Sequence, residues 1–124
     1  MPFPTIVIAQ GDPDTAMKLA NDLHAHFARV ATAANAMELR TMLCRHEARV
    51  AVLDLELISL DQVRQLARTF DDLTIVCTHR SPDEHMWMAA LDAGAVEFCL
   101  PTDLHSILRA TRNASTLTHL AIAA

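Results

Sequence analysis

Glycine is scarce in this chain: Gly11 and Gly94 are the only two among 124 residues. Loops that cradle phosphate on successive backbone amides need glycines in a set order, and neither G-x-G-x-x-G nor G-x-x-x-x-G-K-[ST] occurs. Lysine is scarcer still, with Lys18 alone. The other nine basic residues are scattered arginines, and none form a block able to follow a phosphate backbone. Direct nucleic-acid binding by this chain is therefore not expected. The three cysteines, Cys44, Cys77 and Cys99, make no C-x-x-C pair, which argues against a structural zinc site or a disulfide framework. Cys77 and Cys99 sit in apolar runs, where a reduced cysteine acts as a small hydrophobe. No apolar run approaches the ~20 residues that span a bilayer, and Met1-Pro2-Phe3-Pro4 lacks the basic start of a signal peptide. The expected location is the cytoplasm, without membrane contact. The seven histidines show no metal-ligand spacing, and no Ser-His-Asp or Cys-His set stands out, so an enzyme is not expected.

What the chain does have is core material, with 52% hydrophobic and 20% charged residues and a net charge of −5. That is enough for one folded domain. Short β-like runs alternate with helical patterns. Thr5-Ile6-Val7-Ile8-Ala9 is almost wholly apolar and β-branched, like a strand buried on both faces. It ends at Gln10-Gly11-Asp12-Pro13, and aspartate before proline is a good helix start. Ala16, Leu19, Ala20, Leu23 and Phe27 then predict an amphipathic helix over 13–27. A second strand is expected at Arg29–Thr32, and a helix carrying Met37, Leu39, Met42 and Leu43 follows. The clearest strand, Val50-Ala51-Val52-Leu53, runs straight into Asp54. A helix near 59–70, a strand at Leu73–Cys77, a helix near 83–93, a strand at about Val96–Leu100 and a helix near 103–115 complete the pattern. Strands alternating with helices in this way predict an α/β fold, a doubly wound five-stranded parallel sheet with helices on both faces. Such sheets place their site at the carboxyl ends of the strands. Three polar clusters fall there: Gln10-Gly11-Asp12, Asp54 and Thr78.

Over about residues 4–115 the chain resembles the receiver domain of bacterial two-component response regulators, a flavodoxin-like (βα)5 fold. Val50-Ala51-Val52-Leu53-Asp54 looks like the strand presenting the phosphoacceptor aspartate. Ile75-Val76-Cys77-Thr78 looks like the strand ending in the hydroxyl that contacts the phosphoryl group. Ala90-Leu91-Asp92-Ala93-Gly94-Ala95 is similar to the end of that family's fourth helix, and Phe98 falls where the family carries a rotating aromatic. Residues 1–124 are thus expected to form one receiver-like domain, with 116–124 a tail or the start of a linker.

The departures from the family bear on function. The acidic pair that holds Mg²⁺ in the family falls on Gln10 and Gly11. The lysine after the fifth strand is missing, since either register puts Leu100 or Pro101 there. Phosphoryl transfer to a carboxylate depends on positioning and charge neutralisation. The resemblance therefore implies an atypical receiver, with Asp54 as candidate phosphoacceptor and weak or absent Mg²⁺-dependent phosphorylation. Asp54 has two readings, a slow working acceptor or a carboxylate fixed by local hydrogen bonds. Asp12 and Glu56 are candidates to join Asp54 in a weak Mg²⁺ site. Equally, Asp12 can cap the first helix and Glu56 can be a solvated loop carboxylate. His79 either narrows the entrance beside Thr78 or is a partly exposed loop residue, and Phe98 either switches or simply packs.

In Met86-Trp87-Met88 the Met88 side is expected to be buried. That leaves Trp87 near the surface of the fourth helix, fifth strand and fifth helix, or covered by the C-terminal tail. The partners implied are a histidine kinase, an output domain or other partner protein, or a second copy joined through that face. The alternative from another class is a small α/β enzyme or nucleotide-binding domain using the strand-end crevice.

Overall fold

The computed structural model describes residues 5–112, and its helices begin where the sequence supplies caps. Asp12 accepts from the Thr15 amide and, with Pro13 in the first turn, starts α1 (Pro13–Leu23). Asn35 caps α2 (Ala36–Arg45) through the Glu38 amide. Ser59 and Gln62 form a capping box at the head of α3 (Leu60–Thr69). Asp83 caps α4 (Glu84–Ala93), which ends on Gly94 in the left-handed region. Asp103 takes the amide and hydroxyl of Ser106 as the fifth helix, α5, begins. That helix occupies 104–112, up to the last described residue.

Between the helices lie β1 (Thr5–Ala9), β2 (Arg29–Ala33), β3 (Val50–Asp54), β4 (Thr74–Thr78) and β5 (Glu97–Cys99). They form one parallel sheet in the order β2-β1-β3-β4-β5. Every residue of β3 is buried, as expected of a central strand covered on both faces. Alternate side chains feed two cores. Val7, Ala51, Leu53, Ile75 and Cys77 pack with α2, α3 and α4, whereas Ile6, Ile8, Val50, Val52 and Val76 pack with α1 and α5. Cys77 and Cys99 are both buried, one in each core. No helix among the described residues is long and apolar enough to cross a membrane.

Three expectations change. The helix expected over 13–27 stops at Leu23. Phe27 keeps its place in the core because its amide still returns to the Leu23 carbonyl at 3.2 Å through a turn. The fourth strand sits one residue later than expected, which brings Thr78 into the ladder. Met88 is not on the buried side of α4: it is 61% exposed, and Ala90 and Ala93 face the core with Met86 packed against it. Residues 86, 90 and 93 follow one helical stripe, so the side chains at 87 and 88 point elsewhere. The end of the helix expected to run to 115, and the tail at 116–124, lie outside the described residues.

Candidate functional site at the carboxyl ends of the strands

Strand register lines up the first polar residues of three strands. Ala9 pairs with Leu53, and Leu53 with Cys77. One step further, Asp54 pairs with Thr78, while Gln10 leaves β1 at the same level. The Gln10 side chain therefore crosses the end of β3 to reach Thr78, where its Nε2 donates to Oγ1 at 2.8 Å.

Asp54 sits between these two residues, only 7% exposed. Its Oδ2 accepts from the Gly11 amide at 3.0 Å, and its Oδ1 from the Glu56 amide at 2.9 Å. Two backbone donors on one carboxylate are charge-assisted bonds that fix its orientation. Gly11 is suited to this approach, because a Cβ there would lie 3.3 Å from Asp54 Oδ2. The turn after β3 is pinned by the amides of Leu57 and Ile58, which both donate to the Asp54 carbonyl.

Asp12, Asp54, Glu56 and Arg80 line one crevice of about 380 Å³, together with Gln10, Gly11 and Pro101. Arg80 grips Glu56 with two nitrogens, Nε on Oε1 at 3.0 Å and Nη2 on Oε2 at 2.9 Å. His79 Nε2 lies 3.4 Å from the same Oε1. Its Nδ1 accepts from the Ser81 amide, so the ring proton of the neutral form faces Glu56. The hydrogen bond from Arg80 holds the Glu56 carboxyl below the usual carboxylate range, and the same bond pushes the Arg80 guanidinium further up. Asp12 is lowered by its bond from the Thr15 hydroxyl. Pro101 occupies the wall after β5.

Oxygen donors of this kind are compatible with Mg²⁺, but Glu56 is already engaged at both oxygens and Asp12 at one. One Asp12 oxygen takes both the amide and the hydroxyl of Thr15, and both Glu56 oxygens face Arg80. Among the described residues no group of three or more His, Cys, Asp or Glu side chains stands ready to hold a metal ion.

The structure thus gathers Asp12, Asp54, Glu56 and Thr78 at one end of the sheet. Phe98 is elsewhere, buried in the core that includes α4 and paired with Cys77 in the ladder. Trp87 is 45% exposed on α4, away from the crevice lining. The sequence reading passed over Arg80 and the bridging role of Gln10. A signal for Arg80 was present: Glu56 lies two residues beyond Asp54 and Arg80 two beyond Thr78, so opposite charges stand at matching offsets past the ends of two paired strands.

No family model and no curated protein matches the sequence. Solved structures do match. A response regulator from Thermotoga maritima is 24% identical with a TM-score of 0.79, the alignment covering 90% of this chain and 97% of that one. A two-component response regulator from Clostridium difficile is 16% identical, with a TM-score of 0.80 and coverage of 91% and 96%. The isolated REC domain of RcsB from Salmonella enterica serovar Typhimurium, determined in the presence of the phosphomimetic BeF3−, is 19% identical, with a TM-score of 0.76 and coverage of 90% and 89%. At these identities the likeness is one of architecture, and on it the chain has the flavodoxin-like (βα)5 fold of response-regulator receiver domains.

Proposed function

We propose that this chain is a receiver-type signalling module of a two-component phosphorelay, atypical in its chemistry and acting through protein contacts rather than as an enzyme. The observation that carries this reading is the placement of Asp54. It ends the central strand, pairs with Thr78, and sits between two backbone amides at the mouth of the crevice. In this role Asp54 is the candidate phosphoacceptor, Thr78 the hydroxyl that contacts the phosphoryl group, and Phe98 the aromatic that follows the Thr78 position.

Phosphorylation is weak or absent because charge neutralisation is poor. Two like unit charges ~4 Å apart interact by about 4 kcal/mol at an effective dielectric near 20. An incoming phosphoryl group meets Asp54, Asp12 and Glu56, while Arg80 already serves Glu56. A Mg²⁺ ion drawn to Asp12, Asp54 and Glu56 would be held weakly for the same reason.

Contacts with a kinase, an output domain or a second copy are assigned to the face of α4, β5 and α5. Trp87, Met88, Val96 and Leu100 are exposed there, on α4 and on the segments flanking β5. Large apolar side chains exposed on α4 and beside β5 suit a protein contact.

The test is an amide NMR series with Mg²⁺ alone and then with beryllium fluoride, which mimics the aspartyl phosphate. Saturable shifts at Asp54, Thr78 and Phe98 that vanish in Asp54→Ala support a surviving phosphate switch. Unchanged spectra make Asp54 inert and leave the Trp87 face as the working surface.

A further inference from the structure

We propose that Arg80 competes with divalent cations for Glu56, acting as a resident cation that keeps metal out of the crevice. The idea bears on the same crevice as the proposed function, but it holds whether or not Asp54 accepts a phosphoryl group.

Three carboxylates, on Asp12, Asp54 and Glu56, line one space of about 380 Å³. Such a grouping leaves net negative charge wanting a positive partner. The partner seated there is a guanidinium. Its Nε and Nη2 take the two Glu56 oxygens at 3.0 and 2.9 Å, the forked geometry in which arginine matches a carboxylate best. The charges of Asp54 and Asp12 also act on Arg80 and favour its cationic form. The guanidinium therefore answers to all three carboxylates, bonding one and feeling the field of the other two.

A magnesium ion needs about six oxygens in near-octahedral order. While Arg80 holds both Glu56 oxygens, a metal using that side chain would have to share it with, or displace, a cation already in place. Asp54 and the partly engaged Asp12 are too few carboxylates to compensate. Removing the guanidinium both frees the Glu56 oxygens and takes away a like charge facing the incoming ion. His79 Nε2, 3.4 Å from Oε1, is too weak a rival when neutral.

The experiment titrates Mg²⁺ into the full chain and follows amide NMR shifts in wild type, Arg80→Ala and the double variant Arg80→Ala/Glu56→Gln. The Arg80 side chain is 78% exposed, so its truncation removes little packing. The expected result is that Arg80→Ala binds Mg²⁺ about tenfold more tightly than wild type, with shifts centred on Gly11, Asp54 and Glu56. Adding Glu56→Gln should cancel the gain. Equal affinity in wild type and Arg80→Ala, no saturable shift in Arg80→Ala, or a gain that survives Glu56→Gln overturns the proposal. A gain in Mg²⁺ affinity with no response to beryllium fluoride would uphold the competition while refuting the phosphate switch, so the two can fail separately.

Discussion

Gln10 reaches across the end of the central strand to hold Thr78, its Nε2 lying 2.8 Å from the threonine Oγ1 with both residues buried. The level at which this bond forms is the level of Asp54. A neutral amide thus stands on the β1 side of the site, where the receiver family carries acid, and it ties down the hydroxyl on the other side. Buried polar groups of this kind contribute little when paired and cost more when one partner is lost.

A double-mutant cycle at this pair tests the point. Thr78→Val leaves the Gln10 amide without its acceptor and should cost about 1–3 kcal/mol in urea unfolding. Gln10→Leu strands the Thr78 hydroxyl to a similar extent. Combining them should cost less than the sum by about 1 kcal/mol. Strict additivity would mean that the bond contributes nothing to the folded state.

The strand carrying Asp54 was legible because a run buried on both faces has no other use for five consecutive residues such as Val50–Asp54. Helix starts were legible because Asp12, Asn35, Ser59 and Asp83 are short polar side chains that satisfy free amides. The orientation of α4 was not. Met86, Trp87 and Met88 are consecutive and all large, so hydrophobicity alone does not choose a face. The choice is made by closeness: α4 ends against α3, with Gly94 beside Ala67, and the small side chains of Ala90 and Ala93 fit inward at that end, with Met86 packed a turn earlier. The ion pair of Glu56 and Arg80 depended on strand register, a tertiary property. Their 24-residue separation becomes 2.9 Å only once Asp54 and Thr78 are side by side.

Gly94 offers the sharpest backbone test. Its φ is +119°, and a Cβ there would lie 2.6 Å from the Ala67 Cβ. Gly94→Ala should therefore lose about 2–4 kcal/mol, from left-handed strain together with overpacking. Ala67→Gly in the same chain should recover only the steric share. Urea midpoints for the two variants separate the contributions, and full recovery would show that strain is negligible.

The cysteines should react in two classes. Burial pushes the Cys77 and Cys99 thiols up to about 12, and the thiolate is the reactive form. Raised that far by burial, both thiols carry very little thiolate near neutral pH. Cys44 is exposed on α2. A disulfide-exchange reagent should therefore modify one equivalent quickly at mildly alkaline pH. The other two should appear at the rate of unfolding, and Cys44→Ser should abolish the fast phase alone. Three fast equivalents would contradict the burial of both core thiols.

Acid should loosen the fold through three named carboxylates. Asp12 and Asp103 are held below their ordinary 3.8 chiefly by hydroxyl bonds from Thr15 and Ser106, and Glu56 below 4.5 by Arg80. A group whose folded pKa is depressed stabilises the fold fully above its unfolded value and loses that contribution as pH falls through the folded one. Stability measured by urea midpoint should thus be flat at and above about pH 6 with respect to these groups and decline below about pH 5. Glu56→Gln should flatten the upper part of that decline, because its unfolded value is the highest of the three. Thr15→Ala and Ser106→Ala should flatten the lower part, by letting Asp12 and Asp103 return toward their ordinary values. The Glu56 share alone rests on an ion pair with an exposed arginine, so added salt should erode it while leaving the two hydroxyl-capped aspartates nearly unchanged. A salt-independent slope in wild type would mean that Arg80 contributes nothing to the acid response.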